Sequence, residues 1–162
     1  MKIELRNVKT AQWASEETNC FAATVYIDGV AYGTVHNDGH GGPNSYGHPG
    51  LKRMLDDYGA TLPKLITKYP DSKSTSGFWE LQYDADLLIG DALEVYAQAQ
   101  QLKRRLKTKV VFIHDNKVWE MKFGSAEKLG HVASWIKIKH PGAEILNYLP
   151  FEAALERFGK CA

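Results

Sequence analysis

The chain opens with a period of two. Ile3 and Leu5 are flanked by charged or polar neighbours, and Phe21, Ala23, Val25 and Ile27 recur at every second position as far as Asp28-Gly29. Alternation of this kind places apolar side chains on one face of a strand, and an Asp-Gly pair supplies the positive φ that a tight two-residue turn requires. The segment therefore predicts a hairpin whose second strand runs from Val30 to Asn37. A plain two-residue loop sets Ile27 opposite Val30, Val25 opposite Tyr32, Ala23 opposite Thr34 and Phe21 opposite His36, which puts His36 on the more apolar face.

Helical spacing takes over further along. Leu51, Met54, Leu55 and Tyr58 share one face of a short helix opened by Pro49 and stopped by Gly59. For 61–69 the pattern is ambiguous, the best reading being a further helical turn opened by Pro63, and 71–77 reads as a flexible, solvated loop. A long helix follows from Asp84 or Asp86 to about Lys107, with Leu88, Ala92, Val95, Ala99, Leu102 and Leu106 stepping by three and four. Val110 to Ile113 and Val118 to Phe123 form a second hairpin about Asp115-Asn116, in which Trp119, Met121 and Phe123 share a face. Ser125 caps another helix with Glu127 in its first turn, Leu129, Val132, Ala133 and Ile136 as its stripe and His140-Pro141-Gly142 as its stop. Residues 143–148 read as a last strand, and Pro150 opens a terminal helix that turns Phe151, Leu155 and Phe158 inward. The fold class is α+β: two antiparallel β-hairpins form a sheet layer packed against one long central helix and two shorter C-terminal helices.

Composition narrows the class without changing the elements. A chain of 162 residues is the size of a single domain, 1–162, and at 44% hydrophobic and 24% charged it has the makings of one ordinary core. The formal net charge of +1 provides no global attraction to nucleic acid or anionic lipid. No apolar run approaches the roughly 20 residues of a membrane span, and the charged N-terminal pattern lacks a signal core. Two cysteines, Cys20 in a strand and Cys161 near the end, are too few for a disulfide framework, so a reduced cytoplasmic location is expected. No cofactor is implied.

Candidate chemistry concentrates in the loop 37–50. Its glycines allow a backbone to approach a ligand closely, and amides leading into a helix attract phosphate or carboxylate. Asn37, Gly39, His40, Gly41, Gly42, Asn44, Ser45 and Tyr46 are the candidate binding residues, and the expected partner is an anionic small molecule such as a nucleotide, or a protein. The spacing matches neither a P-loop nor a dinucleotide fingerprint. An alternative is a metal-dependent hydrolase, since His36, Asp38 and His40 fall on one side of an extended chain and two imidazoles with a carboxylate can hold a divalent ion. A third reading takes the basic run 103–109 as a phosphate contact for nucleic acid. Asp56-Asp57 reads as the exposed side of a helix, Cys20 as a small buried hydrophobe, His114, His131 and His140 as turn or surface residues, and the four tryptophans as core or rim.

The loop Asn37-Asp38-Gly39-His40-Gly41-Gly42 after a hairpin, together with the closing Leu149-Pro150-Phe151-Glu152, resembles small accessory proteins carried by bacteriophages and other mobile elements. That resemblance implies an accessory role in a bacterial cytoplasm, such as interference with a host defence by binding a protein or a signalling nucleotide. It assigns no catalytic residue.

Overall fold

The computed structural model describes residues 1–124 and 128–161. The fold is α+β, with nine strands and four helices among the described residues. The chain divides into two compact units, 1–93 and 94–162, each closing around its own core.

In the first unit, β1 (Ile3–Thr10), β2 (Phe21–Ile27), β3 (Val30–Asn37) and β4 (Ser45–Tyr46) form an antiparallel sheet in sequence order. Asp28 and Gly29 take positive φ at the β2–β3 turn, as the Asp-Gly pair predicts. The register departs from the simple expectation. Ile27 faces Val30 and Tyr26 faces Ala31, but Val25 then faces Gly33, because Tyr32 is an extra residue bulged out of β3. One inserted residue exchanges the two faces of all that follows, so His36 pairs with Ala22 and is exposed, while Asn37 is buried opposite Phe21.

Helix α1 (Pro49–Gly59) packs Leu51 and Leu55 onto Phe21, Ala23, Val25 and Val35 of the sheet, where Ala85, Leu88, Ile89 and Leu93 join them. Each fully buried Leu or Ile here contributes about 1.5–3 kcal/mol. Gly59 closes the helix without a left-handed conformation, and its bare Cα is required by packing: a Cβ there would lie 2.5 Å from the Tyr83 carbonyl oxygen. Asp56 is not an idle surface acid. Its Oδ1 accepts from the Ala85 amide at 2.8 Å and its Oδ2 pairs with Lys52 at 2.8 Å, so it ties α1 to the start of the next helix.

Residues 65–70, read as part of a helical turn, are instead the first strand of a third hairpin, and 71–77 is its loop. β5 (Leu65–Pro70) and β6 (Phe78–Leu81) pair antiparallel, and the connecting 71–77 is bonded within itself from the Asp71 amide to the Gly77 carbonyl and to β6 from the Ser74 hydroxyl to Glu80. Helix α2 (Ala85–Leu106) then starts on Asp84, whose carboxylate accepts from the Leu87 amide at 2.8 Å in the manner of an N-cap. Its buried stripe runs through Ala85, Leu88, Ile89 and Leu93. Val95, assigned to the stripe by spacing, is exposed.

In the second unit β7 (Lys109–His114) lies between β8 (Lys117–Lys122) and β9 (Glu144–Ile145). Its run Val110-Val111-Phe112 is apolar throughout because both faces are covered: Val110 and Phe112 meet Ala133 and Ile136 of α3 (Leu129–Lys139), and Val111 meets Leu102, Leu146, Ala154 and Phe158, the last two on α4 (Phe151–Cys161). Asp115 and Asn116 form the turn with positive φ. The two-residue strand β9 is continued by the Asn147 side chain, which accepts from the Val111 amide and donates to the Lys109 carbonyl. The expected cap Ser125 and its partner Glu127 lie outside the described residues. All four tryptophans are substantially exposed, and none belongs to a core.

Candidate functional site

The glycine-rich loop is organised around one buried amide. Asn37, at the end of β3, accepts through Oδ1 from the Thr18 hydroxyl at 2.7 Å and from the Gly39 amide at 2.9 Å. Its Nδ2 donates to the Gly42 carbonyl and to Asn44 Oδ1, both at 3.2 Å. Four bonds satisfy a side chain that burial would otherwise penalise by 1–3 kcal/mol per orphaned group. The Gly39 carbonyl in turn accepts from the amides of Glu16, Glu17 and Thr18, which fastens the loop to the segment before β2. Gly39 sits at φ +88 with no room for a side chain, since a Cβ would fall 2.0 Å from the Ala14 carbonyl oxygen.

The far side of the loop meets the start of α2. Asp86 Oδ1 accepts from the Tyr46 hydroxyl at 2.7 Å and from the Asn44 amide at 3.2 Å. Burial, and next to it the Asp86 hydrogen bond, push the Tyr46 phenol well above its ordinary range. Between these two anchor points opens a pocket of about 290 Å³. Thr18, Asn19, Asn37, Asn44 and Asp86 give it polar walls, and Phe21, Pro43, Ile89 and Leu93 line it with apolar surface.

The predicted residues divide among three roles. Asn37, Gly42 and Asn44 line the pocket. Gly39, Gly41, Ser45 and Tyr46 build its frame: the Gly41 amide donates to Thr18 Oγ1, Ser45 pairs with His36 in β4, and Tyr46 holds Asp86. His40 is outside it, exposed, with Nδ1 3.2 Å from Glu16 Oε2. The loop also contains regular structure that its glycine content conceals, the short strand β4. Thr18, Asn19, Asp86, Ile89, Gly90 and Leu93 were not legible as site residues, because they come from two segments distant in sequence. The one available sign was Asp86, a second acid beside the cap Asp84.

His36 and Asp38 are exposed and do not line the pocket, and among the described residues no three His, Cys, Asp or Glu side chains are grouped to hold a metal ion. The basic run is largely engaged at home. Arg105 lies 3.6 Å from Glu120, Lys109 pairs with the same carboxylate, and the Lys103 and Arg105 cations sit over the rings of Phe151 and Phe158. Cys20 is half-buried, just before β2 rather than within it. No helix among the described residues is long and apolar enough to cross a membrane. Comparison with protein-family models, with curated proteins and with solved structures returns no match.

Proposed function

We propose that the protein works by binding, taking a small polar ligand into the pocket between the glycine-rich loop and the start of α2, without chemical turnover. The observation that carries this reading is Gly90. It lies inside α2, where Gly costs about 1 kcal/mol relative to Ala, yet nothing within 4 Å demands its small size. The open space beside it is the pocket. Gly90 is exposed and lines that pocket, and the lack of a side chain there leaves this wall open, which supports the reading.

The lining also refines the ligand class expected from the loop. Three of the amides that could cradle a phosphate, those of Gly39, Gly41 and Asn44, already donate to Asn37, Thr18 and Asp86. Among the described residues the lining contains no Lys, Arg or His, and its one ionisable residue is an acid. Such walls favour a neutral or cationic group rich in N–H and O–H donors over an anion. A nucleotide would enter by its base or sugar with phosphate left in solvent, and the volume is at the lower edge of the ~300–1,000 Å³ typical of ligand pockets. In a sequestering role, of the kind the loop's resemblance implies, affinity alone is the function.

The test is a thermal-shift titration of the intact chain with the four ribonucleosides, their 5′-monophosphates and spermidine. A nucleoside or spermidine is expected to raise Tm in proportion to RT ln(1 + [L]/Kd). Gly90→Leu fills the pocket without breaking a contact and should abolish the shift while leaving the unliganded protein at least as stable as before, with a gain of up to about 1 kcal/mol. A shift that survives Gly90→Leu, or no shift with any probe, removes the reading.

A further inference from the structure

We propose that the β5–β6 hairpin is the surface through which two copies of this chain associate. None of its residues is buried. Leu65, Ile66, Tyr69, Phe78, Trp79 and Leu81 are between 39% and 64% exposed, and none of them packs into a core cluster of the described residues. Leu65 and Leu81 are direct cross-strand partners, with Trp79 two residues along on the same face; Ile66 shares the other face with its partner Glu80. Apolar surface is therefore displayed on both sides of the ribbon. A two-stranded hairpin is marginal by itself in water, and here neither face is covered and each strand has an unpaired outer edge.

Area and charge select the occupant. On the face of Leu65, the side chains of Leu65, Tyr69, Trp79 and Leu81 exposed to this degree present on the order of 400 Å², given roughly 150–250 Å² for a whole aromatic. A standard interface takes about 800 Å² from each partner, of which about 57% is apolar, or roughly 450 Å². One face of one hairpin thus carries most of the apolar share that one protomer must bring. Between 65 and 81 the charges are Lys68 and Lys73 against Asp71 and Glu80, which cancel. A two-fold interface brings the same patch against itself, so a patch of one sign would repel its copy, and a neutral one of mixed sign does not. The same neutrality gives a nucleic acid or an anionic membrane nothing to hold.

Sedimentation velocity of the full chain, from about 1 μM to about 1 mM so that a Kd between those limits is read directly, tests the proposal. The expected result is a monomer–dimer equilibrium whose dissociation constant rises at least tenfold in Trp79→Glu and in Tyr69→Glu. Trp135→Glu, an exposed tryptophan on α3, should leave it unchanged. Far-UV circular dichroism of each variant should overlay the wild type, because neither hairpin residue belongs to a core. A wild type that stays monomeric throughout overturns the proposal, as does a dimer that both hairpin variants leave intact or that Trp135→Glu weakens equally. The readout is independent of the pocket, so failure of either reading leaves the other standing.

Discussion

The loop 37–50 and the hairpin 65–81 both lie within the first unit and both looked irregular from composition, yet they solve opposite problems. In the loop, polar groups turn inward: Asn37 makes four hydrogen bonds, and Gly39 is pressed against the backbone of Ala14. In the hairpin, the backbone pairs as two strands with a register shift between Ile66 and Pro70 and the side chains turn outward, leaving Ile66, Tyr69 and Trp79 more than half exposed. An element short of regular backbone pairing has become the more strongly specified of the two, and an element of paired strands the less anchored. Specification of a surface segment therefore follows from what its side chains contact within the chain, not from how regular its backbone is.

Substitutions that separate these two kinds of anchoring should differ most at Gly39. Gly39→Ala introduces a Cβ into a left-handed backbone already in contact with the Ala14 carbonyl, and a loss of about 3 kcal/mol or more is expected in urea denaturation followed by circular dichroism. Gly42→Ala is the control. It has φ +92 but open space around its Cβ, so only the backbone strain of about 1 kcal/mol applies. Equal losses at the two sites would mean that packing against Ala14 contributes nothing.

Next in size is the buried amide. Asn37→Ala leaves the Gly39 amide buried without its acceptor and frees the Thr18 hydroxyl, with an expected loss of about 2–3 kcal/mol. Hydrogen exchange should then speed up across 14–18 and 38–44 while β1 and β2 stay protected. Tyr46→Phe removes a single bond to Asp86 and should cost about 1.5–2 kcal/mol. Its pH dependence is the sharper observation. The folded phenol titrates above the ordinary value of 10.0, so the folded state holds a proton that the unfolded chain releases. That contribution is complete below pH 10 and is lost as the pH rises above it. Alkaline unfolding monitored by circular dichroism should be shallower in Tyr46→Phe than in the wild type.

What the sequence made legible was set by how local the deciding contacts are. The Asp28-Gly29 and Asp115-Asn116 turns, the Pro49 and Asp84 helix starts and the apolar run of β7 are each specified by neighbours, and all are present. The register beyond Tyr32 was not readable, because a bulge leaves no mark on the alternation of a strand whose second half is Gly33, Thr34 and Val35. The hairpin 65–81 was missed since its apolar residues fall on both faces, which erases the period of two. Half the pocket was missed for another reason: Thr18 and Asp86 reach it only through the folded chain, and their residue types are ordinary for a turn and a helix start.

The smallest effect is the one that most separates loop from hairpin. Trp79→Ser removes a large aromatic side chain, a change that costs about 3–5 kcal/mol when the site is a core. At 58% exposure and outside every core cluster of the described residues, it should shift the stability of the monomer by no more than about 0.5 kcal/mol. The measurement has to be made by urea denaturation at protein concentrations below the dissociation constant, because a dimer that dissociates would add its own linkage to the apparent stability. A loss near zero there, with a clear loss at high concentration, locates what Trp79 does in association. A loss of several kcal/mol at low concentration would show that the hairpin is anchored within its own chain, and the contrast with the Asn37 loop would disappear.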